Sequence, residues 1–130
     1  PGPREDFFPL GNERFVVPEI LFSPRDVGMK EDGIPGVVIQ SLNLLPQGLW
    51  PAMLGNIVVV GGNSLFPGFM ERLQADIRQH APSEYVVRVA RSPDPIKSTW
   101  LGGARMASNR DTLKSFVVTK AEYEEHGSNS

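Results

Sequence analysis

The stretch Val60-Gly61-Gly62-Asn63-Ser64-Leu65-Phe66-Pro67-Gly68 comes nearest to chemistry in residue type and spacing. A β-branched run, Ile57-Val58-Val59-Val60, enters it and a helical pattern leaves it. In open α/β sheets, ligands settle beyond the carboxyl ends of strands, where helix N-termini offer free N–H groups to anions. Two adjacent glycines would let a ligand approach the backbone closely; the plainer alternative is that they only make a sharp turn. This is not a P-loop, because no G-x-x-x-x-G-K-[ST] occurs, and it is not a dinucleotide fingerprint, because the third glycine is missing. Ser64 invites a nucleophile-elbow reading, but Phe66 stands where that motif needs glycine.

Other reactive types are sparse. Cysteine is absent, which removes disulfides, thiolate metal sites and a Cys nucleophile. Of the 2 histidines, His80 falls near a helix end, where the dipole favours it, and His126 lies in the tail. Glu122, Glu124 and Glu125 crowd one terminal helix and read as a solvated face rather than a metal site. Arg88 and Arg91 are too few for a nucleic-acid platform and no aromatics interleave with them. Trp50 and Trp100 sit among apolar residues and read as core anchors. Gly102-Gly103 lowers helix propensity, so close packing against another element is its natural reason.

The elements that must position these residues follow from periodicity. Phe7–Leu10 reads as an edge strand, since Pro9 cannot serve a central ladder. Gly11-Asn12 reads as a turn and Pro18–Phe22 as a short helix opened by its proline. Ser23–Gly28 is a loop. Val37, Val38, Leu42 and Leu45 fall at helical spacing, Pro46-Gln47-Gly48 breaks the pattern, and Leu49–Leu54 forms another short helix. Asn56–Val60 reads as a central strand covered on both faces. Phe66, Phe69, Met70, Leu73 and Ile77 mark one face of the next helix, with an Arg72–Asp76 pair on the other. Ala81-Pro82 ends it and Tyr85–Ala90 reads as a strand, which completes a βαβ unit with a parallel pair. Ser98 or Thr99 caps a helix running to about Asn109, and Thr119–Glu122 is a capping box for the last one.

The whole is 130 residues, 40% hydrophobic and 22% charged, which suits one globular domain rather than a disordered chain. The 13 Lys and Arg against 15 Asp and Glu give a net charge of −2, so no polyelectrolyte argument for nucleic-acid binding starts here. The 13 glycines and 12 prolines imply short elements with tight connections. The apolar run at Ile57–Val60 is far shorter than the roughly 20 residues of a membrane span. Pro1–Asp6 has neither the basic nor the apolar region of a signal peptide and no initiator Met, so a fragment or a processed chain is expected.

Gly11-Asn12-Glu13-Arg14-Phe15, Pro18-Glu19-x-Leu21-Phe22-x-Pro24, Gly28-Met29 and Gly33-Ile34 closely resemble a stretch of actin. Asn56–Gly62 with Phe66-Pro67-Gly68 is similar to the actin strand, turn and helix that border the nucleotide. Trp100-x-Gly102-Gly103 and Thr119-Lys120-x-Glu122-Tyr123 match near the actin C-terminus. The matches keep their order at nearly constant spacing over about residues 10–127, so the chain is identified as a member of the actin superfamily. Val17–Phe22, Gly33-Ile34-Pro35 and Gly62–Gly68 look most like the nuclear actin-related class found in remodelling complexes that exchange a variant histone into nucleosomes.

The resemblance implies part of an actin-like ATPase (ribonuclease H-like) α/β fold: a short mixed sheet with flanking helices, and the C-terminal third of a longer protein. By analogy, residues 1–30 end subdomain 4, 31–97 form part of subdomain 3, and 98–130 return to subdomain 1. It turns Gly11-Asn12 from a hairpin turn into the start of a helical turn. It places Gly61, Gly62, Asn63, Leu65 and Phe66 at the adenine and ribose of ATP, with the phosphate-binding loops outside this chain. Ile96 stands where actin has a basic residue beside the adenine, and Lys97 is the substitute. Leu101 keeps the apolar character of actin's target-binding groove, whereas Arg105 replaces an isoleucine, so ordinary actin partners should bind poorly.

The function implied is a nuclear scaffold subunit that binds nucleotide structurally without being an enzyme. Its partners would be remodelling-complex subunits, with histones or the nucleosome reached through the complex, and neither membrane nor specific nucleic acid. The nucleus is the expected location, with the cytoplasm second. A filament-forming or ATP-hydrolysing actin-like protein is the alternative, and a phosphotransferase of the same fold a distant one. Actin docks an apolar loop tip between filament subunits; here Ser23–Asp32 carries Arg25-Asp26 at that tip, which opposes polymerisation unless the two pair with each other.

Overall fold

The four-residue rhythm of Phe69, Leu73 and Ile77 puts three apolar side chains on one face of a helix, and all three are buried, Ile77 completely. They belong to the core of one part of the computed structural model, which describes residues 9–114 and 116–127. Of these, residues 9–58 and 67–90 make one compact unit and residues 59–66 and 91–127 a second.

The first unit holds α1 (Glu13–Glu19), α2 (Ile34–Asn43), α3 (Trp50–Leu54) and α4 (Phe69–His80). α2 packs on α4, and Leu42 and Leu54 join the α4 face in the core together with Val87. Truncating such a side chain to alanine costs about 2–5 kcal/mol through lost transfer energy and the cavity left behind. Phe22 meets Phe69 edge-on at 5.2 Å between ring centroids. Arg72 stacks on the outer side of Phe22, 5.0 Å from its centroid, and binds Glu19 at 3.0 Å and Asp76 at 2.7 Å. Hydrogen bonds first to Asp76 and then to Glu19 raise its already high pKa, so it stays charged. Arg78 closes the far end of α4, donating to the carbonyls of Ala81, Pro82 and Tyr85, the favoured place for a cation on a helix dipole.

Gly33 shows why the Gly33-Ile34-Pro35 step has its composition. Ile34 N donates to Leu21 O at 2.9 Å, which draws the two backbones together. A Cβ on Gly33 would lie 1.9 Å from the Phe22 carbonyl oxygen. We expect Gly33→Ala to destabilise the protein by about 3 kcal/mol, at the upper end of ordinary overpacking because backbone rather than a flexible side chain must move. Urea unfolding of the variant and the parent, compared by midpoint, checks this; an unchanged midpoint would refute it.

β1 (Ile57–Val59) and β2 (Val89–Arg91) are hydrogen-bonded neighbours. Ile57 N donates to Arg88 O and Ser92 N to Val59 O; partners rising together along both strands mark a parallel pair. The second unit continues with α5 (Ser98–Ser108), α6 (Arg110–Lys114) and α7 (Lys120–His126), with α5 packed on α6. Thr119 and Glu122 form the expected capping box: Glu122 N donates to Thr119 Oγ1 at 3.3 Å and Thr119 N to Glu122 Oε2 at 2.7 Å. That bond from the Thr119 backbone, helped by its hydroxyl, holds the Glu122 carboxyl below its usual range. The cap therefore acts fully above the ordinary carboxylate pKa and fades as pH falls through the lowered one.

Several local expectations change. The edge strand at Phe7–Leu10 lies partly outside the described residues, and Pro9 and Leu10 are not in a strand. Pro18 does not open its helix but sits next to last in α1. Its missing N–H removes the bond that would otherwise reach Arg14 O, and α1 ends one residue later. α4 begins at Phe69, not Phe66. Val58 on β1 is 60% exposed, so the strand is not covered on both faces by the described residues. Trp100 is 72% exposed and is no core anchor, and Trp50 is only half-buried, its Nε1 donating to Leu45 O. A Cβ on Gly102 or Gly103 would meet nothing within 4 Å, so close packing is not their reason here. Lys97, not Ser98 or Thr99, is the N-cap of α5 and no side chain caps its first turn; Asp94 Oδ1 instead accepts from Ile96 N and Lys97 N just before the helix.

Candidate functional site

The turn after β1 is built around Gly61 and Ser64. Gly61 has φ +97° and ψ 154°, a conformation open essentially to glycine. Its N–H donates to Pro95 O at 2.7 Å. Residues Gly62–Leu65 then wind one turn of 3₁₀ helix, in which Ser64 N donates to Gly61 O at 3.2 Å and Phe66 N to Asn63 O at 3.1 Å. Ser64 is 1% exposed, a buried polar residue among an otherwise apolar set. Its hydroxyl donates to Gly61 O at 2.7 Å, and its own carbonyl accepts from Arg91 Nη1 at 2.9 Å. Every polar atom of its side chain is thus engaged locally, and it is a structural lock rather than a nucleophile.

The five residues expected at a ligand stand together on this turn. Gly62 has no atom within 4 Å of a would-be Cβ, so one side of the turn is open. Leu65 is 48% and Phe66 43% exposed, which leaves apolar surface beside that opening. Gly61 opens the turn with its positive φ, and Asn63 lies in the 3₁₀ turn. One part of the expectation changes: the turn does not open directly into a long helix. Phe66-Pro67 and a left-handed Gly68 intervene before α4, so Gly61 and Gly62 are not at that helix's N-terminus. What the turn presents is shape and backbone, not a helix dipole.

The neighbouring loop of the same unit carries Asp94, whose Oδ1 accepts from Ile96 N at 3.2 Å and Lys97 N at 3.0 Å, while its carbonyl accepts from Ser98 N and Ser98 Oγ. Ile96 is 65% exposed and Lys97 is exposed as well, so both side chains are accessible where the resemblance puts an adenine contact. Sequence reasoning missed Ser64 as a lock and Arg91 as its partner. A serine inside a Gly-rich turn was the available signal for the first, since Ser hydroxyls bind nearby backbone in turns. Nothing local in the sequence pointed to the second.

The groove of about 490 Å³ in the first unit offers no competing centre. Its carboxylates are engaged: Asp32 holds Arg25 and Gln40, and Asp76 holds Arg72. Among the described residues no group of three His, Asp or Glu side chains could hold a metal ion.

A parallel strand pair, a Gly-Gly turn beyond the first strand and helices before and after them are consistent with part of an α/β fold of the kind actin has. The model of the actin family matches residues 3–130, and the chain belongs to that family. Domains of this family generally bind nucleotide. The chain is 60% identical to the "Actin-like protein arp6" of Emericella nidulans over 125 residues, 96% of this chain and 26% of that protein. It is 58% identical to "Actin-related protein 6" of Neurospora crassa, over 95% of this chain and 27% of that protein. With "Actin-related protein 6" of Drosophila melanogaster it shares 41% identity over 98% of its length and 33% of the relative's. The actin-related class expected from Val17–Phe22 and Gly62–Gly68 is the one these relatives represent. The chain spans about a quarter to a third of their length.

Proposed function

We propose that this chain is the nucleotide-facing C-terminal part of an actin-related scaffold protein. The protein holds an adenine nucleotide for structure, without turning it over, within a nuclear complex that exchanges a variant histone into nucleosomes. The observation that carries the nucleotide part is the open side of the Gly61–Phe66 turn, beside half-exposed Leu65 and Phe66. Likeness to actin-related protein 6 in fungi and an insect over almost the whole chain supports the scaffold part. The turn supplies a wall for base and sugar. It supplies no cation or metal-binding carboxylate, and phosphoryl transfer depends on such groups to stabilise charge.

Affinity purification of the tagged full-length protein from nuclei, followed by a histone-exchange assay on the complex with and without this subunit, tests the reading. Exchange should fall when the subunit is missing and return when it is added back; unaffected exchange would overturn the scaffold assignment. We further expect residues 1–130 alone to show no ATP turnover and no sub-micromolar affinity for Mg-ATP. Isothermal calorimetry and a phosphate-release assay check this, and sub-micromolar binding would show that one wall suffices.

A further inference from the structure

We infer that Arg91 is a positioning residue for the nucleotide: it braces the Gly61–Leu65 turn through the Ser64 carbonyl, an inference that rests on the nucleotide reading above. Within the turn the bonds are short-range, Ser64 N and Oγ both closing on Gly61 O. Two hydrogen bonds tie the turn to another segment of its unit. One is Gly61 N to Pro95 O at 2.7 Å, and the other is Arg91 Nη1 to Ser64 O at 2.9 Å. They grip opposite ends of the turn, and both come from the stretch at and just after β2. A single 3₁₀ turn is poorly held by its own hydrogen bonds. The charge-assisted bond from Arg91 is therefore the stronger hold on the end that carries Leu65 and Phe66.

Arg91 is exposed and adds no core packing, so removing it leaves no cavity. Its loss frees the Ser64 carbonyl to turn toward water and lets the 3₁₀ turn unwind at its C-terminal end. The cost appears when a ligand needs that end ordered, because ordering it then subtracts from binding. The brace is a single N–H to carbonyl bond, and lysine keeps the charge and such a donor on a comparable stem, so it restores most of the brace.

Full-length parent, Arg91→Ala and Arg91→Lys proteins are compared by calorimetry with Mg-ATP and by nucleotide-free thermal melting. Arg91→Ala should weaken binding about tenfold, the scale of one hydrogen bond to a charged group. Its nucleotide-free melting should stay close to the parent's, and Arg91→Lys should recover most of the affinity. Unchanged affinity in Arg91→Ala would overturn the inference while leaving the nucleotide reading intact. So would an affinity loss matched by a comparable loss of nucleotide-free stability, or no recovery with lysine. A parent protein that binds no Mg-ATP would overturn both, and that result is distinguishable because it precedes any mutation.

Discussion

Purified full-length protein, brought with ATP and Mg²⁺ to concentrations at which actin pellets, should remain in the supernatant on high-speed sedimentation. The reason lies in residues 23–32, the counterpart of the loop whose apolar tip docks between actin subunits. Pro24 is buried and anchors the start of a 3₁₀ turn, Pro24–Val27, which left-handed Gly28 ends. At the tip stand Arg25 and Asp26, both exposed. The two could have neutralised each other and kept docking feasible. Instead Arg25 Nη2 reaches Asp32 Oδ1 at 2.5 Å, and Asp32 also accepts from Gln40. The guanidinium is committed across the base of the loop, and Asp26 is left without it at the apex.

Burying such a carboxylate at a subunit contact costs several kcal/mol, and a large apolar side chain missing from the same spot forfeits about 1.5–3 kcal/mol of burial. Both apply at every repeat of a filament. Asp26→Phe tests the cause separately from the outcome, since it restores the apolar tip without touching the Arg25–Asp32 pair. Filaments in the pellet of the parent protein, seen by electron microscopy, would refute the prediction. If Asp26→Phe pellets while the parent does not, Asp26 is the cause.

The elements whose side chains bury within a single local pattern were legible in the sequence. α4 follows from Phe69, Leu73 and Ile77, the capping box from Thr119 and Glu122, and the breaks from Pro46-Gln47-Gly48 and Ala81-Pro82. Each rests on contacts within a few residues, where periodicity and backbone chemistry decide. The turn that carries the candidate site was legible in place but not in detail. A Gly-Gly pair after a β-branched run locates a turn, yet its spacing does not say that four residues of 3₁₀ helix and a left-handed glycine separate it from α4. Trp100 and Val58 fail for a different reason. Apolar character marks a surface that gains from being covered, and says nothing of what covers it. Arg91 to Ser64 is a contact across 27 positions, fixed by how the chain returns after β2 and invisible to any local rule.

The two glycines of the turn should separate folding from binding when each is changed to valine. Gly61 has the positive φ of +97°, whereas Gly62 is not among the glycines with positive φ. Any backbone strain therefore falls on Gly61 alone. A Cβ there would touch nothing within 4 Å, so the penalty of Gly61→Val is purely conformational, about 1–3 kcal/mol. Either the strained residue is tolerated and stability falls by that amount, or the turn relaxes and the Gly61 N to Pro95 O bond is lost; both lower the melting temperature without ligand. Gly62→Val meets neither obstacle. Its Cβ also points into open space, and a surface change of this kind shifts stability by only about 0.5 kcal/mol. The same open space is what the turn leaves for a base or sugar, so the isopropyl group should displace the ligand. A tenfold or greater loss of affinity removes about 1.4 kcal/mol or more of the stabilisation that excess Mg-ATP confers. Thermal melts of the full-length parent and both variants, each with and without Mg-ATP, read the two effects together. Gly61→Val should melt early in both conditions, and Gly62→Val should match the parent without nucleotide and fall behind it with nucleotide. A Gly62→Val protein that gains as much from Mg-ATP as the parent does would show that this glycine only makes the turn.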